Sequence, residues 1–151
     1  MARIFVLDSG PLGLLVGDRH RDEVSSFISW CWIAYSNAAL IVIPEMADYE
    51  VRRELLRADK TASLLRLDRF AKIWIYLPLS TEAMRLAAEL WSEGRKVGKP
   101  TADDKAIDGD VIVAAQALRF AAPEDQLIVI TDNSAHLGNY VASSPYRAIM
   151  P

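Results

Sequence analysis

A three-layer α/β/α fold with a mainly parallel central sheet of four to five short strands is predicted by two observations. Apolar runs of four to six residues alternate along the chain with longer stretches whose apolar residues recur at helical spacing. The runs are apolar throughout rather than alternating with polar residues, as expected of strands covered on both faces.

Taken in order, residues 4–7 (IFVL) read as a strand ending at Asp8, and Ser9-Gly10-Pro11 turns into a short helix over 12–16. Residues 22–37 carry Val24, Phe27, Ile28, Cys31, Ala34 and Tyr35 at helical spacing. Residues 39–43 (ALIVI) form a second strand, and Pro44 suits the first turn of a helix to 57. Thr61 caps another helix, to 70. A strand over 73–77 precedes a long helix that Ser80 or Thr81 opens and that runs to 92. Residues 94–101 read as a basic loop with Gly98 and Pro100. Asp108 or Gly109 introduces a helix over 110–120, 127–131 is a strand, and 146–150 a last short one.

Length and composition narrow the function classes. The 151 residues suit one domain with a real core, and 52% hydrophobic against 25% charged reads as globular. The apolar start is four residues long and the run over 26–34 is also short, so neither a secretory leader nor a membrane span is expected, and the cytoplasm is the expected compartment. The single cysteine, Cys31, rules out an internal disulfide and a Cys-rich zinc site, and its Trp30 and Trp32 neighbours suggest burial. A net charge of −3 argues against coating nucleic acid through bulk electrostatics. Residues 51–72 nevertheless hold seven basic residues against three acids, a face that either meets phosphates or is solvated helix surface.

The acids fall where an α/β sheet builds sites. Ligands of open α/β sheets bind beyond the carboxyl ends of the strands. Asp8 follows the first strand, Glu45 follows the second, Glu50 lies in the helix after it, Asp110 opens a later helix, and Asp132 and Asn133 follow the strand over 127–131. Separate segments can thus bring oxygen ligands to one sheet edge, the hard donors that Mg²⁺ or Mn²⁺ takes. Each residue also has a simpler role. Asp8 and Asp108 are good helix caps, Glu45 and Asp110 suit first turns, Glu50 suits a helix surface, and Asp132-Asn133 suits a turn. Their common placement is what favours a site. The residues after Asp8 are Ser9 and Gly10, so the second acid of a receiver or phosphatase domain is missing. With only His20 and His136 and no G-x-S-x-G, a Ser–His hydrolase has little support.

Four segments, in order, resemble the blocks of the PIN-domain family: Val6-Leu7-Asp8-Ser9, residues 48–55 (DYEVRREL), residues 110–118 (DVIVAAQAL) and Val129-Ile130-Thr131-Asp132-Asn133. The resemblance implies a compact α/β domain over the whole chain and a Mg²⁺- or Mn²⁺-dependent ribonuclease, many bacterial members being VapC-type toxins. Carried over by position, it implies catalytic and metal-binding roles for Asp8, Glu50, Asp110 and Asp132, with Asp108 near the metal. Ser9 matches the hydroxyl residue after the first Asp. Ser9, Arg52, Arg53, Lys99 and Asn133 become candidate substrate contacts. One block departs from the pattern: many members place the last acid where this chain has Asn133, so either Asp132 is the fourth acid or Asn133 serves as a neutral oxygen ligand. RNA as substrate, a cognate antitoxin and a homodimer follow as implied partners, and no membrane. The aromatic-rich segment 27–35 could line such an interface, although core packing explains Trp30 and Trp32 more simply. The alternative is a non-catalytic PIN-like module that binds RNA or protein.

Overall fold

The computed structural model describes residues 1–98 and 108–151. Its centre is a five-stranded, all-parallel sheet in the order β3-β2-β1-β4-β5. The strands are β1 (Arg3–Leu7), β2 (Leu40–Pro44), β3 (Ile75–Leu77), β4 (Gln126–Ile130) and β5 (Ser143–Ser144). In β1 and β2 four consecutive residues are buried. Successive strand residues point to opposite faces, so both faces of the sheet centre are covered, as the unbroken apolar runs require. The fold is the α/β class expected.

The helices are α1 (Ser9–Leu15), α2 (Asp22–Ser36), α3 (Glu45–Arg57), α4 (Thr61–Ile73), α5 (Thr81–Lys96), α6 (Gly109–Phe120) and α7 (Ser134–Leu137). α2 turns Val24, Phe27, Trp30, Cys31 and Ala34 inward at helical spacing. Phe27 and Trp30 meet Phe5 and Tyr146 in an aromatic cluster with centroid distances of 4.7–6.0 Å. Cys31 is fully buried, and burial pushes its thiol pKa up, which leaves it a core residue. On the outer side Trp32 is 38% exposed and Tyr35 48%, so core packing accounts for Trp30 but not for Trp32. Trp32 instead leans on Tyr35 and Trp74 at the surface.

Several boundaries also differ from the sequence reading, each for a local reason. Residues 146–150 are not a strand: Tyr146–Ala148 is a 3₁₀ turn after Pro145. That turn returns the Tyr146 ring to the core, while Trp30 Nε1 donates to the Ile149 carbonyl at 3.0 Å. The fifth strand lies earlier, at Ser143–Ser144. α5 runs past 92 to Lys96, taking in Gly94; the inward residues Ala83, Ala87 and Gly94 are all small and allow close packing on α6. Ile73 closes α4 rather than opening β3, and Pro44 ends β2 instead of entering the helix. α1 begins at Ser9, directly after the first strand.

One buried polar side chain ties the layers together. Gln116 of α6 accepts from the Met46 backbone N–H at 3.3 Å and donates to the Leu77 carbonyl at 3.0 Å. It thereby fastens the start of α3 and the end of β3 to α6, satisfying a buried amide that would otherwise be costly. α3 carries Glu50 and α6 carries Asp110, so this bridge fixes how the two acids face each other.

Candidate active site

The strand order reverses direction at β1, because the chain leaves β1 for β2 on one side and returns as β4 on the other. A crevice beyond the carboxyl ends of β1 and β4 follows from that topology. Asp8 stands at the end of β1 and Asp132 just past β4. β1 and β4 are paired as far as Leu7 and Ile130, and the Asp8 backbone N–H donates to the Ile130 carbonyl at 3.0 Å.

Asp8 is 5% exposed and occupies the N-cap position of α1, yet its side chain makes no capping bond. Its Oδ2 accepts from the Thr131 hydroxyl at 2.8 Å, and Oδ1 is buried without a hydrogen-bond partner. Burial raises the pKa of this carboxyl, and the charge of Asp132 adds to the effect. The Thr131 hydroxyl and the Ser9 amide oppose it.

Glu50 reaches the same edge from α3. Its carboxylate lies over Gly109, where a Cβ would come within 2.8 Å of Oε1. The glycine is what lets the carboxylate settle against the first turn of α6. Glu50 Oε1 is the second buried carboxylate oxygen here without a hydrogen-bond partner. Burial raises the pKa of Glu50 most, followed by repulsion from Asp8 and Asp110. Arg53 lowers it, and Asp108 raises it further. Asp110 is raised for the same reasons: burial first, then the charges of Asp8 and Asp108. His136 and the Asn133 side chain act the other way. Asp8, Glu50 and Asp110 therefore sense one another's charge, and three segments distant in sequence meet at one edge.

The remaining predicted residues divide. Asp108 caps α6, its Oδ1 accepting from the Val111 N–H at 3.2 Å, and its charge reaches both Glu50 and Asp110. Asp132 is exposed, with Oδ2 about one contact distance (3.9 Å) from where a Cβ on Gly10 would lie. Asn133 donates from Nδ2 to Asp110 Oδ2 at 3.2 Å. Ser9 opens α1 beside Asp8. Arg53 stacks over Tyr49, 5.3 Å from the ring centre, near enough to Glu50 to favour its charged form. Arg52 faces elsewhere: it forms a paired contact with Asp48 at 2.9 and 3.0 Å and a third bond to Asp68 at 2.8 Å. Glu45 also turns from the edge, accepting from the Leu79 N–H at 2.9 Å and the Tyr76 hydroxyl at 3.4 Å. Lys99 lies outside the described residues.

Two contributors were not singled out from sequence. Thr131 is buried and joins two loops, donating to Asp8 and accepting from the Asn133 backbone N–H at 2.9 Å. A hydroxyl as the last residue of an apolar run was the available signal. Gly109 provides clearance for Glu50, and its place between two acids was the only hint.

A hard divalent ion suits the donor type at this edge: oxygens only, two of them buried and unbonded, in carboxyls that repel one another. Convergence is less complete. Among the described residues no three His, Cys, Asp or Glu side chains are gathered closely enough to hold a metal ion as they stand. The carboxyls are near enough to repel without closing on one point.

Comparison with known proteins gives a likeness of fold. No family model matches the chain, and no curated protein matches it by sequence. Among solved structures, a chain of VapBC2 from Rickettsia felis bound to a DNA fragment from its promoter aligns with a TM-score of 0.72 and 16% identity, covering 94% of this chain and 98% of that one. A chain of DNA-bound VapBC from Salmonella typhimurium aligns with a TM-score of 0.67 and 16% identity, covering 97% and 99%. A chain of FitAB bound to the IR36 DNA fragment aligns with a TM-score of 0.60 at 16% identity, covering 97% and 98%. Near-complete coverage on both sides, at an identity too low to speak for activity, gives this chain the PIN-like fold of those neighbours.

Proposed function

We propose that this chain is a Mg²⁺- or Mn²⁺-dependent endoribonuclease and the toxin of a toxin–antitoxin pair, acting in the cytoplasm. The observation that supports it best is the pair of buried, unbonded carboxylate oxygens, Asp8 Oδ1 and Glu50 Oε1, on mutually repelling acids at the sheet's switch point. Buried carboxylates without partners are costly unless a cation compensates them.

In this reading Asp8, Glu50, Asp110 and Asp132 hold the ion or ions, with Asp108 beside them. When bound there, a divalent ion would supply charge stabilisation at phosphorus and at the leaving oxygen and would lower the pKa of a water. The chain's own contribution is placement. Thr131 orients Asp8, Gly109 seats Glu50, and Gln116 fixes α3 against α6. Asp132 is the fourth acid by this reading, because its charge reaches Asp8. Arg53 and Ser9 stand beside the acids and are the proposed phosphate contacts. Arg52 is the weaker candidate, since two carboxylates already engage it. A single-stranded or looped RNA suits an open edge, since its backbone and unstacked bases can reach it.

The partner expectations rest on the fold neighbours, which are VapBC and FitAB complexes. They support a possible antitoxin partner for this chain; its place at the acidic edge and a homodimer are part of the same proposal. No described helix is long and apolar enough to cross a membrane. A non-catalytic PIN-like binding module is the second reading, favoured by the incomplete convergence of the acids.

The decisive experiment incubates purified protein with a structured RNA pool in Mg²⁺, Mn²⁺ or EDTA. Divalent-dependent cleavage is expected, with Asp110→Asn slower by at least about 100-fold at unchanged fold, since such ions stabilise the transition state by several kcal/mol. Full activity in Asp110→Asn would remove the assignment. Failure of the wild type to bind either ion in calorimetry would favour the module.

A further inference from the structure

An amide and an imidazole approach the Asp110 carboxylate together. Asn133 Nδ2 lies 3.2 Å from Asp110 Oδ2 and 3.2 Å from His136 Nδ1, while those two atoms stand 3.8 Å apart. A carboxylate oxygen can only accept, and an amide NH₂ carries two protons. The arrangement is satisfied when one proton goes to Asp110 and the other to His136 Nδ1. The ring then takes the proton on Nε2, and its Nδ1 lone pair faces the amide. Turning the amide over would set Asn133 Oδ1 against Asp110, acceptor against acceptor, so the network itself fixes the orientation.

The strap is anchored from behind. The Asn133 backbone N–H donates to Thr131 Oγ1 at 2.9 Å, and Thr131 donates to Asp8 at 2.8 Å. The His136 backbone N–H donates to the Asn133 carbonyl at 3.2 Å, which holds ring and amide on the same short turn. An unbroken run of hydrogen bonds thus joins Asp8 to Asp110 through Thr131, Asn133 and the loop after β4. Asp110 is partly exposed, and its side chain could otherwise swing toward solvent.

We infer that Asn133 and His136 are a pair of positioning residues that hold Asp110 in place for a divalent ion, with His136 in its Nε2–H tautomer as the acceptor that steadies Asn133. The inference rests on the divalent-ion reading of the acidic edge. It assigns Asn133 a donor's role, since its side-chain carbonyl is turned away from Asp110, and it gives His136 a function through another residue.

The test titrates Mn²⁺ into wild type, Asn133→Ala, His136→Ala and His136→Gln by calorimetry, with thermal melts as the fold control. Loss of hydrogen bonds to a liganding group typically weakens metal binding by about 10- to 100-fold. Asn133→Ala and His136→Ala should each weaken Mn²⁺ by about 10-fold or more. His136→Gln, whose carbonyl can accept the same amide proton, should recover most of that loss. The ring nitrogens of His136, read by ¹⁵N NMR in the metal-free protein, should report the Nε2–H tautomer, and Asn133→Ala should abolish that preference. Equal Mn²⁺ affinity in all four proteins, or a ring proton on Nδ1, would overturn the inference. A wild type that takes up no Mn²⁺ would overturn the nuclease reading instead, while the tautomer still decides whether the strap exists.

Discussion

The carboxyl edge of the sheet and the outer face of α3 and α4 both carry dense charge, but they treat it in opposite ways. On the α3–α4 face the charges neutralise one another. Arg52 is clamped by Asp48 and Asp68, Arg57 pairs with Glu54 at 2.7 Å, and Arg66 donates to the Val16 and Gly17 carbonyls at 3.0 Å. At the carboxyl edge Asp8, Glu50 and Asp110 repel one another, and among the described residues Arg53 offsets part of that repulsion at Glu50. A charge run in a sequence therefore says little about binding until its partners are known. The basic stretch over 51–72 reads from the sequence as either a phosphate-facing or a solvated helix surface, yet much of it serves to pin α3 and α4 to each other and to α1.

The contrast can be broken most sharply at Gly109. A methyl group there would stand 2.8 Å from Glu50 Oε1, and the carboxylate, being the free end of a side chain, would move. Gly109→Ala should lower RNA cleavage by about 100-fold, the scale of a small misplacement in a catalytic group. Its urea midpoint should stay close to wild type. A variant that keeps both activity and ion affinity would show that the seat of Glu50 is immaterial.

On the paired face the same logic predicts a stability effect instead. Asp48 is 4% exposed and carries two of the three bonds to Arg52. Asp48→Ala should destabilise by about 2 kcal/mol, the range for hydrogen bonds to charged groups. Urea unfolding measures it, and cleavage per folded molecule should not change.

Dependence on pH separates the two regions next. Asp8, Glu50 and Asp110 all have folded pKa values raised above the ordinary 3.8 or 4.5. The native state then holds these protons longer than the unfolded chain. Their contribution to stability is thus greatest in acid and falls as pH rises from those ordinary values through the raised ones. In EDTA, Glu50→Gln should melt higher than wild type at pH 7, and the gap should shrink toward pH 4. A gap of the opposite sign would mean that Glu50 has a stabilising partner.

The smallest expected effect compares neighbouring arginines. Arg53→Ala should raise KM for RNA by about 3-fold, as for one exposed phosphate contact worth under ~1 kcal/mol. Arg52→Ala should leave KM alone and lower the melting temperature. Reversal of that pattern would reassign the substrate face.

Much of this was legible in the chain. Apolar runs such as IFVL and LIVI find their layer unaided, because burial on both faces leaves little room for polar residues. The acids at strand ends were legible for a related reason, since sheet topology alone brings positions 8 and 132 side by side. Less visible was anything that depends on a partner. Whether Asp48 or Asp68 would capture Arg52 cannot be read from i,i+4 spacing, which offers Asp48 but not Asp68. Glu45 looks like any first-turn acid until β3 brings Leu79 and Tyr76 to it. The outer strands were harder for want of length: three residues in β3 and two in β5 carry no periodicity to recognise.

The hydrogen bond between Thr131 and Asp8 spans 123 positions of sequence. During synthesis, the amino-terminal half emerges with its first strand missing a neighbour on one side. The acidic cleft comes into being only when β4 has left the ribosome and docked. Contacts of such separation form late, because closing a long loop precedes any reward for it. A chain interrupted before that point lacks the Thr131–Asp8 bond and the pairing of β1 with β4, and so the acidic edge that they assemble.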